Sequence, residues 1–141
     1  MNNLLFTYGT LKKGHVRHDV LEMYQSKFLF EGWTERSDLI LHRTHGGRNS
    51  FPVPLPSSKG YPIYGEVYEI TEQLIPQLDR IEAVGHLYTR ELLRIRPNAN
   101  GSIVQAWCYL GIPETWRENR QDMSFPICNI IKNPSKCFVF L

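Results

Sequence analysis

Cysteine is scarce in this chain of 141 residues: Cys108, Cys128 and Cys137 form an odd set with no C-x-x-C pair. That pattern fits a reducing compartment and argues against a disulfide-stapled secreted domain. Long apolar runs are missing too. No window approaches the roughly 18 apolar residues of a membrane span, and the start of the chain lacks a basic flank, a sustained apolar stretch and a small-residue cleavage site. The expectation is a cytoplasmic chain with no membrane partner, and the short apolar end from Cys137 to Leu141 reads as a strand or a core-packing segment. Charge of one sign is absent as well. Sixteen Lys plus Arg against 14 Asp plus Glu leave a net +2, far short of the basic stripe that tracks a phosphate backbone, so no nucleic-acid partner is indicated.

Several catalytic signatures are also lacking. Gly9-Thr10-Leu11-Lys12-Lys13-Gly14 is followed by His15 and Val16 and so departs from the phosphate-binding G-x-x-x-x-G-K-[ST] loop. No G-x-S-x-G elbow occurs, and no cysteine sits beside an evident activating base. His15, His18, His42, His45 and His86 have neither an H-E-x-x-H context nor a nearby cysteine, so no metal site is expected from them. The tryptophans Trp33, Trp107 and Trp116 read as core or pocket-wall residues.

What is present is ordinary globular material, 42% hydrophobic and 21% charged, long enough for one core, so residues 1–141 are taken as a single domain. Asn3 to Tyr8 reads as an apolar strand ending at Gly9, followed after Leu11 by a helix to Tyr24 that carries Val16, Val20, Leu21 and Tyr24. Lys27 to Leu41 has near-alternating Phe28, Phe30, Trp33, Leu39 and Leu41 and predicts one or two strands. Arg43 to Gly60, with Pro52, Pro54 and Pro56, reads as a long loop unable to sustain a ladder. Ile63 to Ile70 is a strand. Thr71 is a candidate N-cap for a helix carrying Leu74, Ile75, Leu78 and Ile81 and ending near Gly85, with Pro76 an irregularity or the sign of a later start. Leu87 to Arg96 and Ile103 to Leu110 form a hairpin about the Asn100-Gly101 step. More strands than helices, without steady βαβ alternation, make the class α+β.

Two features can carry chemistry. Glu82 lies four residues beyond Leu78 and seven beyond Ile75, on the apolar stripe of the helix. A carboxylate facing the interior has its pKa raised by burial and becomes a useful base near neutral pH. The same residue at a helix end can instead turn to solvent or pair with Arg80, Arg90 or Arg94. Tyr8-Gly9-Thr10-Leu11 is a strand-to-helix turn whose amides can cradle a carboxylate or phosphate.

Taken together, these residues resemble the γ-glutamylcyclotransferase-like family and, within it, the γ-glutamylamine cyclotransferase branch. Phe6-Thr7-Tyr8-Gly9-Thr10-Leu11 is similar to the family's strand and Y-G-[ST]-L loop. Gly65-Glu66-Val67-Tyr68 resembles its G-x-[VL]-Y strand, Leu78-Asp79-Arg80-Ile81-Glu82 its L-D-x-x-E helix end, and Tyr88-Thr89-Arg90 the Y-x-R that follows. The resemblance implies a small mixed β-barrel with flanking helices around one pocket. It also implies cyclisation of a γ-glutamyl amide to 5-oxoproline with release of the amine. In that picture Glu82 is the general acid/base and Tyr8, Gly9, Thr10, Leu11 and Tyr88 bind the substrate, with Arg90 expected to bond away from Glu82. No metal, cofactor or protein nucleophile is called for, because the substrate's own α-amino group is tethered to the carbonyl it attacks.

The resemblance stops near Leu110, so residues 111–141 are read as a divergent C-terminal extension of the same domain, and the amine is left open. The alternative is a non-catalytic binding module of the same fold that captures a small anionic metabolite. Retention of Glu82 favours the enzyme, since a buried base is costly and unnecessary for capture. A third reading, self-association through the apolar tail, is compatible with a monomer or weak homo-oligomer.

Overall fold

The computed structural model describes residues 3–8, 25–43 and 52–117. The expected helix after Leu11, the loop residues Gly9, Thr10 and Leu11, His15, His18, His45, Cys128, Cys137 and the stretch 118–141 lie outside the described residues. The described elements are β1 (Leu4–Thr7), β2 (Lys27–Thr34), β3 (Leu39–Arg43), β4 (Pro52–Pro56), β5 (Tyr64–Glu69), α1 (Leu74–Ile81), β6 (Tyr88–Pro97), β7 (Val104–Gly111) and α2 (Pro113–Arg117).

Five strands close a mixed barrel in the order β1-β5-β2-β6-β7, and β3 pairs with β4 as a separate two-stranded sheet. The closing seam is the parallel β1–β7 contact at Leu5 and Trp107; the other barrel pairs are antiparallel. This is the small mixed barrel of the α+β class that the motifs imply. Strands β1 and β5 are buried on both faces. Phe6 and Val67 pack with Leu93, Ile95, Ala106, Cys108 and Leu110, while Leu5 and Tyr68 pack with Leu74 and Leu78 of α1. A closed barrel with a helix on its outside explains why these strands read as continuous apolar runs. The hairpin β6–β7 forms as expected, in a register from Ile95↔Val104 to Tyr88↔Gly111, but residues 98–103 join its strands and neither Asn100 nor Gly101 takes the left-handed conformation of a tight Asn-Gly turn.

The expected loop between Arg43 and Gly60 is corrected: Pro52–Pro56 is a strand, paired from Leu39↔Pro56 to Arg43↔Pro52. The reason is the alternation of the prolines. Residues two apart point their amides to the same edge, so the three missing donors all lie on the side away from β3, leaving Val53 and Leu55 to form the ladder. On the β3 side the same logic holds: the odd residues of β3 turn outward to Tyr61, whose amide donates to the Leu39 carbonyl (2.9 Å) and whose hydroxyl accepts from the Leu41 amide (3.2 Å).

The helix begins later than Thr71. Gln73 occupies the N-cap without a side-chain cap bond, so Pro76 falls within the first turn, where its missing N–H leaves no helical acceptor unsatisfied. Leu74 and Leu78 are buried, Ile75 is half-buried and Ile81 is exposed. The inner stripe is therefore 74, 78 and 82. The helix stops at Glu82 in a two-bond closure: the Ala83 amide donates to the Arg80 carbonyl (3.1 Å) and the Val84 amide to the Asp79 carbonyl (2.9 Å). Ala83 sits at φ 48°, the left-handed position that glycine fills without a Cβ penalty. Ala83→Gly is expected to stabilise the fold by about 0.5–1 kcal/mol, seen as a rise of a few degrees in Tm; a fall would contradict this account of the turn.

Candidate active site

The topology gathers the predicted residues at one end of the barrel. Because β1 and β7 run parallel and β6 runs antiparallel to β7, the end of β1, the start of β6 and the end of β7 lie together. Tyr8 follows β1, Tyr88 opens β6 and Tyr109 lies near the end of β7. The end of α1 joins them through the Val84↔Tyr88 bridge and a bond from the Gly85 amide to the Tyr88 carbonyl (2.8 Å).

Glu82, at the C-cap of α1, is buried at 8% exposure. The solvent-facing reading is thereby excluded. The three arginines named with it are engaged elsewhere: Arg80 with Gln77, Arg94 with Glu35, and Arg90 with Asp79 through Nε (2.9 Å) and Nη2 (3.3 Å). The Arg90 guanidinium also lies 4.3 Å over the Trp107 ring.

Tyr8 donates its hydroxyl hydrogen to the Tyr109 carbonyl (2.6 Å). Burial holds its phenol pKa well above the ordinary value, and the neighbouring Tyr88, Cys108, Glu82 and Tyr109 groups push the same way. Tyr109 is pushed up by burial, by its hydrogen bond to Asp79 (2.8 Å) and by the Asp79 charge, with Glu82 adding to the effect against Arg90. The Cys108 thiol is raised by burial and then by Glu91 and Glu82, against Arg36. Glu82 thus contributes, behind burial, to the upward shift of Tyr8 after β1 and of Cys108 and Tyr109 on β7. Tyr88 is buried among Leu5, Val53, Leu55, Leu74, Leu78 and Tyr109.

Tyr109 was not singled out by sequence reasoning, and Asp79 entered only as part of the L-D-x-x-E helix end, while Trp107, read as a core or pocket-wall residue, packs partly buried against the cluster that holds Tyr88 and Tyr109. The hairpin register could have found one pair: counting outward from Ile95↔Val104 places Tyr109 opposite Arg90. Among the described residues no three His, Cys, Asp or Glu side chains form a metal-sized group, and no helix is long and apolar enough to cross a membrane.

The raised tyrosine and thiol pKa values carry a stability consequence. A proton held more tightly by the folded chain contributes stability that is complete below the unfolded pKa and is lost as pH rises through the folded value. Unfolded cysteine titrates near 8.5 and tyrosine near 10. Urea midpoints are expected to decline progressively above about pH 8.5 and more steeply beyond pH 10; a midpoint at pH 10.5 equal to that at pH 7.5 would contradict the burial of Tyr8, Cys108 and Tyr109.

Comparison with known proteins agrees with this architecture. The family model described as gamma-glutamyl cyclotransferase, AIG2-like matches residues 5–126, past the point where the motif resemblance stops. A Drosophila melanogaster protein with a provisional gamma-glutamylcyclotransferase name is 38% identical over 111 residues, 75% of this chain and 68% of that protein. Gamma-glutamylaminecyclotransferase of Rattus norvegicus is 34% identical over 98 residues, 65% of this chain and 62% of that one. The crystal structure of a Mus musculus AIG2-like protein superposes with a TM-score of 0.71 at 25% identity, covering 94% and 91% of the two chains. The chain belongs to the gamma-glutamyl cyclotransferase, AIG2-like family. By class it is a cyclotransferase.

Proposed function

We propose that this chain cyclises the γ-glutamyl amide of an amine to 5-oxoproline and releases the free amine, with Glu82 as general acid/base. The observation that carries the proposal is the buried carboxylate of Glu82 at the end of α1, which the Val84↔Tyr88 bridge brings to the barrel end where Tyr8 and Tyr109 are bonded. Glu82 takes a proton from the substrate's α-ammonium, and the freed amine attacks the γ-carbonyl carbon of the same molecule. The new C–N bond closes a five-membered ring, Glu82 gives its proton to the departing nitrogen as the old C–N bond breaks, and the second proton shed by the ring nitrogen passes to the released amine, which leaves as an ammonium. Tethering supplies the entropic advantage of the step. Amides of Gly9, Thr10 and Leu11 clamp the α-carboxylate and bend the chain toward closure, while Tyr88 forms a wall of the pocket.

A covalent route through Cys108 has no support, because burial keeps its thiol protonated. The amine branch of the family is favoured by the likeness to the rat protein of that name. We place the activity in the cytoplasm and treat residues 111–141 as part of the same domain.

The test is incubation of purified protein with a γ-glutamyl-lysine isopeptide, a γ-glutamyl amino acid and a γ-glutamylated amine metabolite, following 5-oxoproline by mass spectrometry. Turnover of the isopeptide or the amine conjugate is expected. Binding of these compounds without 5-oxoproline would instead establish the capture module.

A further inference from the structure

Asp79 is tied to the Glu82 turn twice. Its backbone carbonyl accepts the Val84 amide that closes the turn (2.9 Å), and its side chain is fixed from the barrel by the Tyr109 hydroxyl (2.8 Å) and the Arg90 fork (2.9 and 3.3 Å). Arg90 itself lies 4.3 Å over the Trp107 ring. Tyr109 is bonded at both ends, donating to Asp79 and accepting Tyr8 at its carbonyl (2.6 Å). One continuous set of bonds therefore runs from α1 through β6 and β7 to the residue that opens the Tyr8–Leu11 loop.

We propose that Asp79, Arg90 and Tyr109 form a positioning frame that fixes the end of α1, and with it the Glu82 carboxylate, on the barrel, a proposal that rests on Glu82 being the base. None of the three takes or gives a proton in the reaction. Asp79 lies one helical turn before Glu82, and a carboxylate gripped by a planar fork and a rigid phenol fixes both the rotation and the advance of the helix end. A base at a helix C-cap has no following helical turn to hold it, so its reach is set by whatever clamps the last turn. The clamp joins three residues that are far apart in sequence, and it leaves the inner face of the helix, Leu74 and Leu78, to supply the stability.

The experiment measures kcat and KM for a γ-glutamyl-lysine isopeptide at 20 °C in Tyr109→Phe, Asp79→Asn, the double variant and Glu82→Gln. Tyr109→Phe removes one hydroxyl and keeps the ring and the carbonyl that Tyr8 uses. Its kcat is expected to fall about 5- to 20-fold and that of Asp79→Asn about 20- to 100-fold, with KM within about twofold of wild type, as misplacement of a catalytic group by an ångström or less predicts. The double variant should be no slower than Asp79→Asn, because the two changes remove a shared bond. A merely structural frame would lower Tm and leave kcat unchanged at 20 °C, and that result overturns the proposal. A rise in KM at constant kcat overturns it equally. Should Asp79→Asn fail to fold, Tyr109→Phe decides alone. Wild-type turnover by Glu82→Gln would remove the base reading itself, an outcome separate from loss of the frame.

Discussion

Glu82→Gln is expected to lower turnover of a γ-glutamyl amine by about a thousandfold or more, the upper part of the range for loss of a positioned acid/base, since one group performs both proton transfers. The substitution keeps the shape of the side chain and removes only its capacity to accept a proton. Substrate affinity, measured by calorimetry on the unreacted complex, should therefore stay within about threefold of wild type, because the function proposed above assigns the α-carboxylate to the loop after Tyr8 and not to Glu82. The fold should survive and Tm should hold or rise, as a buried carboxylate is more costly to shelter than an amide. A variant that folds, binds and still produces 5-oxoproline at the wild-type rate would mean the proton goes elsewhere. Glu82→Asp gives the complementary check: it retains the carboxylate and withdraws it by one methylene, so it should fall between the two.

The parts of this structure that depend on neighbours in sequence were legible before the coordinates. Leu4–Thr7, the Tyr64–Glu69 strand and the hairpin about Asn100-Gly101 each follow from local pattern. The place of Glu82 four residues after Leu78 put it on the apolar stripe of the helix, but spacing alone favoured solvent or an arginine partner; its burial required the barrel wall against which α1 packs. Three features were not legible for a common physical reason. The β1–β7 seam, the Tyr8–Tyr109 bond and the Asp79–Arg90–Tyr109 cluster join residues from distant parts of the chain, and no periodicity encodes which strand closes a barrel. The misread of Pro52–Pro56 differs in kind. The rule that proline breaks a ladder was applied to the whole segment, whereas the spacing of two confines the damage to one edge.

The largest expected effect on the fold belongs to Gly65→Ala. Gly65 stands opposite Gly32 where β5 passes between β1 and β2. A Cβ built at Gly65 would lie 2.6 Å from Phe6 Cζ and closer still to the Thr7 carbonyl oxygen, while one at Gly32 would run into the Arg96 carbonyl oxygen. The paired glycines let the backbones of four strands, β1, β5, β2 and β6, approach where the sheet bends to close. Neither obstacle at Gly65 can move cheaply: Thr7 is backbone in a paired strand, and Phe6 fills the interior at 1% exposure. The methyl group should therefore cost about 3 kcal/mol, the upper end of overpacking penalties, against a total stability on the order of 5–15 kcal/mol for a domain. In thermal melts this corresponds to a loss of roughly 10 °C. Activity should fall as well, even where the protein is folded, because a shift of Thr7 is passed to Tyr8 and to its bond with Tyr109. A Gly65→Ala protein melting within two degrees of wild type with full turnover would show that β1 can yield without cost, and that the end of the barrel is less rigid than its packing implies.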